Sequence, residues 1–124
     1  MKYEPLTEDN FYHIYNCGNN KENLFIEAEN YSYFLLLIKK YLLDVSEILS
    51  YCLLKNHFHL LIKTKPNTES EKISRQFSNL FNAYAKAINK RYNRTGSLFK
   101  DRFSRIKVIN EDYLKSLIIY IHTN

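Results

Sequence analysis

Residues 46–65 read SEILSYCLLKNHFHLLIKTK, two runs of strand-forming residues that meet at Lys55 and Asn56. The runs Glu47 to Leu54 and His57 to Thr64 are each long enough for a strand, and a tight connection between them makes a hairpin. Alternate residues of a strand point to one face and lie roughly 6.6 Å apart along it. His57 and His59 therefore project together, while Phe58, Leu60 and Ile62 project the other way. Two imidazoles at this spacing can share one small cation, but the same spacing also suits core filling.

Working outward from the hairpin, "NFYHIYNCGNN" alternates as a strand over Phe11 to Asn16 and turns at Gly18. From Ala28 to Leu43 the apolar residues Tyr31, Phe34, Leu35, Ile38, Tyr41 and Leu42 recur at helical spacing. On the other side of the hairpin, Pro66 and Asn67 close the unit, and Thr68 or Ser70 is expected to cap a second helix running to about Tyr92. That helix has Ile73, Phe77, Leu80, Phe81, Tyr84 and Ile88 on one face and Lys72, Arg75, Lys86, Lys90 and Arg91 on the others. "SLFKDRFSRIKVI" predicts a fourth strand carrying Lys100, Arg102, Arg105 and Lys107, and Asn110 or Glu111 opens a last helix. The succession βαββαβ followed by a helix predicts an α+β, ferredoxin-like fold: an antiparallel sheet with two helices on one face.

The chain has 124 residues, suited to a single domain over 1–124. No stretch approaches the roughly 20 apolar residues of a membrane-spanning helix, and the N-terminus lacks an apolar leader segment, so a cytoplasmic location and no membrane partner are expected. Cys17 and Cys52 are too few and too far apart for a disulfide framework or a CxxC metal site, and both are expected to be buried thiols. Charge is divided unevenly. Residues 1–62 carry five lysines and eight acids, net −3, whereas residues 63–124 carry thirteen Lys/Arg and five acids, net +8. Basic charge interleaved with aromatic rings suits a phosphate backbone with stackable bases. The expected DNA contacts are Arg91, Arg94, Lys100, Arg102, Arg105 and Lys107, with Tyr84, Tyr92, Phe99 and Phe103 available for stacking, although helical spacing favours the core for Tyr84, and Phe99 and Phe103 share a strand face that suits the core as well. No P-loop or other nucleotide motif is present.

A metal held by two histidines needs further ligands. The last helix, "EDYLKSLIIYIHTN", puts Leu114, Leu117, Ile118 and Ile121 on a buried stripe. At about 100° per residue, Tyr120 and Asn124 fall together at its edge, one turn apart. Tyr120 taken alone is one of eleven tyrosines, most of which must be packing residues. His13 and His122 lie outside these motifs and are expected to be structural or surface residues.

From about Tyr12 to Asn124 the sequence resembles the single-tyrosine HUH transposases, particularly the REP-associated tyrosine transposases and the IS200-like group. "YHIYNCGNN" is similar to that family's first strand and turn, and "YCLLKNHFHLLIKT" contains its His-hydrophobic-His motif. "NRTGSLFKDRF" looks like its Gly-Leu-aromatic-x-x-Arg-Phe segment, and "YIHTN" looks like its tyrosine motif. The resemblance implies that His57 and His59 ligate Mg²⁺ or Mn²⁺, with Asn124 completing the site. It implies that Tyr120 is the nucleophile, cleaving single-stranded or hairpin DNA to leave a 3′-hydroxyl and a 5′-phosphotyrosine. Two departures stand out: Cys17 occupies a position where many relatives have arginine, and the chain stops at Asn124 where relatives continue into a proline, so the domain is read as truncated at its C-terminus.

Two alternatives remain open at this level. One is a nucleic-acid-binding module, derived from such a transposase, that keeps the fold and basic face without catalysis. The other is a zinc-binding regulatory domain using Cys52 with the two histidines. The resemblance also leaves open whether Tyr120 serves its own chain's histidines or those of a partner in a homodimer.

Overall fold

The computed structural model describes residues 4–123. In chain order the elements are β1 (Phe11–Cys17), a single 3₁₀ turn (Asn19–Lys21), α1 (Ala28–Leu42), β2 (Ser46–Leu54), β3 (His57–Thr64), α2 (Ser70–Arg91), β4 (Ser104–Val108) and α3 (Glu111–Thr123). The four strands form one sheet in the order β2-β3-β1-β4, with every neighbouring pair antiparallel. This is the expected α+β, ferredoxin-like arrangement, and β3, the strand bearing the histidine pair, is central.

Directly opposed residues of an antiparallel pair share a face. Tyr12 and Ile14 of β1 pair with Ile62 and Leu60 of β3 and, with Phe58, bury themselves against α1 and α2. The six apolar residues expected on the inner face of α2 are all buried there. On α1 the buried set is Phe34, Leu37, Ile38 and Leu42, so the helix is rotated slightly from the expected stripe, and Leu35 and Tyr41 are only partly covered. Tyr84 is fully buried and its hydroxyl donates to the Leu24 carbonyl at 2.6 Å, which ties α2 to the loop entering α1. Burial holds that phenol well above its ordinary pKa.

The opposite face of the sheet is covered over part of its width by α3. Leu117 and Ile121 pack on Leu61 and Val108, with Leu114, Ile118, Phe11 and Cys52 at the margin. Asn110 starts this helix: its side-chain oxygen accepts from the Tyr113 N–H at 2.7 Å. The expected cap of α2 differs. Glu69 occupies the cap position without a side-chain bond, and the Thr68 hydroxyl turns back to donate to the Pro66 carbonyl at 3.2 Å.

The fourth strand is shorter than its sequence suggests, beginning only at Ser104. The preceding segment is held instead to the end of β1. Asn19 N–H donates to the Leu98 carbonyl at 2.8 Å, Lys100 N–H to the Cys17 carbonyl at 2.9 Å, and Asn16 Nδ2 to the Asp101 carbonyl at 2.8 Å. Gly18 pairs with Phe99 across this seam, and a Cβ at Gly18 would overlap the Glu22 carbonyl. Glycine is needed here for close approach of two backbones, since its φ of −69° is open to any residue.

Candidate active site

His57 and His59 lie on the sheet face that α3 covers, as strand alternation requires, with ring centroids 5.3 Å apart and planes nearly perpendicular. Each ring is held through Nδ1. Asn56 Oδ1 lies 2.9 Å from His57 Nδ1. An amide oxygen can only accept, so that Nδ1 carries the proton and the lone pair sits on Nε2. His59 Nδ1 lies 2.9 Å from Nε2 of His13, a buried residue of β1 on the same face. The rings of His13 and His59 stack at 5.1 Å, and Tyr15 leans on both, 4.8 Å from His13 and 6.0 Å from His59.

Tyr120 projects from α3 onto this cluster. Its ring meets His59 edge to face at 5.5 Å, and about half of its surface is exposed. Packing of Leu117 and Ile121 on the sheet sets the rotation of α3 and so brings the phenol over the histidines. His57, His59 and Tyr120 line a common cavity of about 470 Å³, together with Asn16 and Cys17 at the end of β1 and Lys100, Asp101 and Arg102 from the seam loop. Lys100 and Arg102 are both exposed. A second cleft lies between α3 and the β1–β4 side of the sheet and shares His59, Tyr15 and Tyr120 with the first.

The other expected DNA contacts are placed differently. Arg91 pairs with Glu27 and Glu29 of the α1 segment, and Arg94 with Glu22 and Asn89, so the charges of both are matched within the fold. Arg105 and Lys107 pair with Ile14 and Tyr12, which puts them on the sheet face opposite the histidines. Arg105 is buried there, its guanidinium 3.8 Å from the Phe103 ring centroid. Phe103 is buried and Phe99 partly so in the same core, and both precede the strand whose face they were expected to share. Asn124, the expected third ligand, lies outside the described residues.

Among the described residues no group of three or more His, Cys, Asp and Glu clusters as a metal cage would. Cys52 stands opposite His59 across β2 and β3, and among the described residues it forms no such cluster with the histidines. The donor set that remains is two imidazoles, each engaged through Nδ1, beside an open cavity lined by Lys100, Asp101 and Arg102. A cation held by two imidazoles here would keep open positions for water or phosphate oxygens.

His13 is the residue that the sequence reading missed. Its burial lowers its pKa from 6.5 to about 4, with the neighbouring His59 as a lesser cause; His59 is lowered too, by burial first and then by His57. An imidazole that is neutral in the fold binds fewer protons than in the unfolded chain between these values, so protonation favours unfolding. Stability is therefore expected to be full above pH 6.5 and to fall as pH drops from 6.5 toward 4, by up to about 3 kcal/mol at 1.36 kcal/mol per pH unit. Urea midpoints at pH 7.5, 6 and 4.5 measure the loss. Replacing His13 by glutamine should flatten part of it.

Comparison with known proteins gives a consistent placement. The family model described as "Transposase IS200 like" matches residues 7–124. A search of curated proteins gives no match. Among solved structures, the fold is similar to that of a REP-associated tyrosine transposase bound to a REP hairpin, with a TM-score of 0.74 at 17% identity over 98% of this chain and 68% of that one. It is also similar to a candidate transposase from Deinococcus radiodurans R1, with a TM-score of 0.62 at 13% identity over 99% of this chain and 96% of the other. With nearly the whole chain matched by the family model and the fold shared with these structures, the protein belongs to the IS200-like transposase family.

Proposed function

We propose that the protein cuts and rejoins single-stranded or hairpin DNA, with Tyr120 as nucleophile and a Mg²⁺ or Mn²⁺ ion held by His57 and His59. The observation that carries this reading is the edge-to-face contact of Tyr120 with His59 over a cavity that both line. The hairpin bound by the REP-associated relative is a second support. Tyr120 Oη attacks the scissile phosphorus and forms a P–O bond as the bond to the 3′ oxygen breaks. The phenol proton leaves to solvent or a neighbouring base, and the 3′ oxygen departs protonated, giving a 3′-hydroxyl and a 5′-phosphotyrosine. A phenol, with pKa near 10, is a better leaving group than an alkoxide, so the linkage stays reactive toward a returning 3′-hydroxyl. When bound, the ion supplies Lewis-acid polarisation of the phosphate. Lys100 and Arg102 hold the strand by its phosphates, and the seam to β1 fixes where they sit.

The test is incubation with 3′-labelled hairpin and single-stranded DNA libraries, with Mn²⁺ or with chelator, followed by a denaturing gel. A shifted, metal-dependent covalent band is the expected result. Salt-sensitive binding with no band under any condition would favour the non-catalytic binding module.

Each phosphate contact on a single strand contributes about 0.7 to the slope of log affinity against log salt. The double variant Lys100→Ala/Arg102→Ala is therefore expected to lower that slope by about 1.4, as read by fluorescence anisotropy across a salt series. Arg91→Ala, whose charge is matched by Glu27 and Glu29 on α1, should leave it unchanged.

A further inference from the structure

We infer that His13 is the positioning residue of the metal site, its Nε2 accepting a hydrogen bond from Nδ1–H of His59 and so fixing the tautomer that leaves the His59 lone pair on Nε2. This rests on the reading of His57 and His59 as ligands. The contact itself is a buried one of 2.9 Å between two ring nitrogens, so one of the two must donate and the other accept. The choice has a chemical consequence. If His13 donated, His59 would carry its proton on Nε2 and could not use that atom as a ligand. If His13 accepts, His59 has the same tautomer that the Asn56 side-chain oxygen Oδ1 imposes on His57. Both histidines then offer Nε2, from neighbouring positions on one strand face.

The surroundings suit an acceptor at this point. His13 is buried, and its Nε2 faces His59 Nδ1 at 2.9 Å. Its ring stacks on that of His59 and meets that of Tyr15 at a tilt, which limits rotation of the pair. The register of β1 on β3 sets the distance, because His59 is opposed by Tyr15, placing His13 one step along on the same face. Ligating histidines are commonly oriented through their other nitrogen by a group of this kind, and loss of the partner weakens metal affinity by roughly 10–100-fold.

The inference is tested on the full chain in two ways. Long-range ¹H–¹⁵N correlation spectra of histidine-labelled protein without metal, at pH 7.5, report the tautomers directly. A protonated Nδ1 and bare Nε2 on His59 are expected, and a protonated Nε2 on His59 would overturn the inference. This readout needs no metal and so stands apart from any failure of the metal reading. Separately, Mn²⁺ titration followed by electron paramagnetic resonance compares three chains. His13→Phe keeps a ring without an acceptor and should bind Mn²⁺ about 10–100-fold more weakly. His13→Gln puts an amide oxygen near the lost nitrogen and should bind within about 3-fold of the parent, a rescue that bulk packing would not give. Equal affinity of His13→Phe and the parent would overturn the inference, as would equal weakening of both variants with their urea midpoints unchanged. Should the parent chain itself fail to bind Mn²⁺ while His59 shows the expected tautomer, the metal reading would fall and the hydrogen-bond assignment would stand.

Discussion

Replacing Tyr120 by phenylalanine is expected to abolish the covalent protein–DNA band while leaving the fold and DNA binding in place. The substitution removes one oxygen, and no other atom at that position can form the phosphodiester with the enzyme. Loss of an attacking group typically costs about 10⁴-fold or more. The ring is retained, so its edge-to-face contact with His59 survives, and the residue is about half exposed on α3. Changes at half-exposed positions that keep the ring are small beside core truncations, so the urea midpoint should move far less than in Phe58→Ala. Anisotropy with labelled hairpin DNA should likewise give a dissociation constant near that of the parent. A band that persisted in Tyr120→Phe would sink the assignment of Tyr120 and move attention to Tyr15 and Tyr113, which line the adjoining cleft.

The second large effect is structural. Phe58→Ala should cost about 3–5 kcal/mol, the range for truncating a fully buried aromatic side chain. Phe58 has no exposed surface, and its ring lies 5.4 Å from those of Phe34 and Phe81 and 6.2 Å from that of Phe99. It therefore joins both helices and the seam loop to β3, and backbone elements on three sides would have to move to fill the space. A small domain has only about 5–15 kcal/mol of stability in total. Equilibrium urea denaturation should show a lower midpoint with an unchanged slope, the mark of lost stability without a changed unfolded state. Phe58 also separates His57 from His59 in sequence, so a strand loosened at this point carries both histidines with it. Phe58→Leu, which retains most of the volume, should lose less stability and keep more Mn²⁺ affinity. Equal losses from the two variants would argue that ring packing at this position is not what holds β3.

Much of this arrangement was legible from local sequence because it rests on periodicity. Alternation along His57 to Thr64 put the histidine pair on one face and Phe58, Leu60 and Ile62 on the other, and the 3.6-residue spacing of Ile73 to Ile88 identified the buried side of α2. The terminal stripe of Leu117 and Ile121 fixed the rotation of α3 and, with it, the side on which Tyr120 emerges. These are properties of single elements, set by backbone geometry and apolar burial.

What the sequence could not supply was the relation between elements. Lys100 and Arg102 looked like strand residues alongside Arg105 and Lys107. The backbone bonds from residues 98–101 to the end of β1 pull the first two into a loop beside the histidines, while strand pairing turns the last two to the other face. Arg91 and Arg94 read as free cations because their partners, Glu27, Glu29 and Glu22, are some sixty to seventy residues away in the chain. His13 read as a lone histidine in a strand, since only the register of β1 on β3 brings it to His59. Sequence alone thus determined which residues line the faces of β3, α2 and α3, because that depends on local periodicity and burial. Tertiary structure alone decided which charges are already matched, which loop borders the cavity and which nitrogen meets which, because contact between residues distant in the chain depends on register and packing across elements.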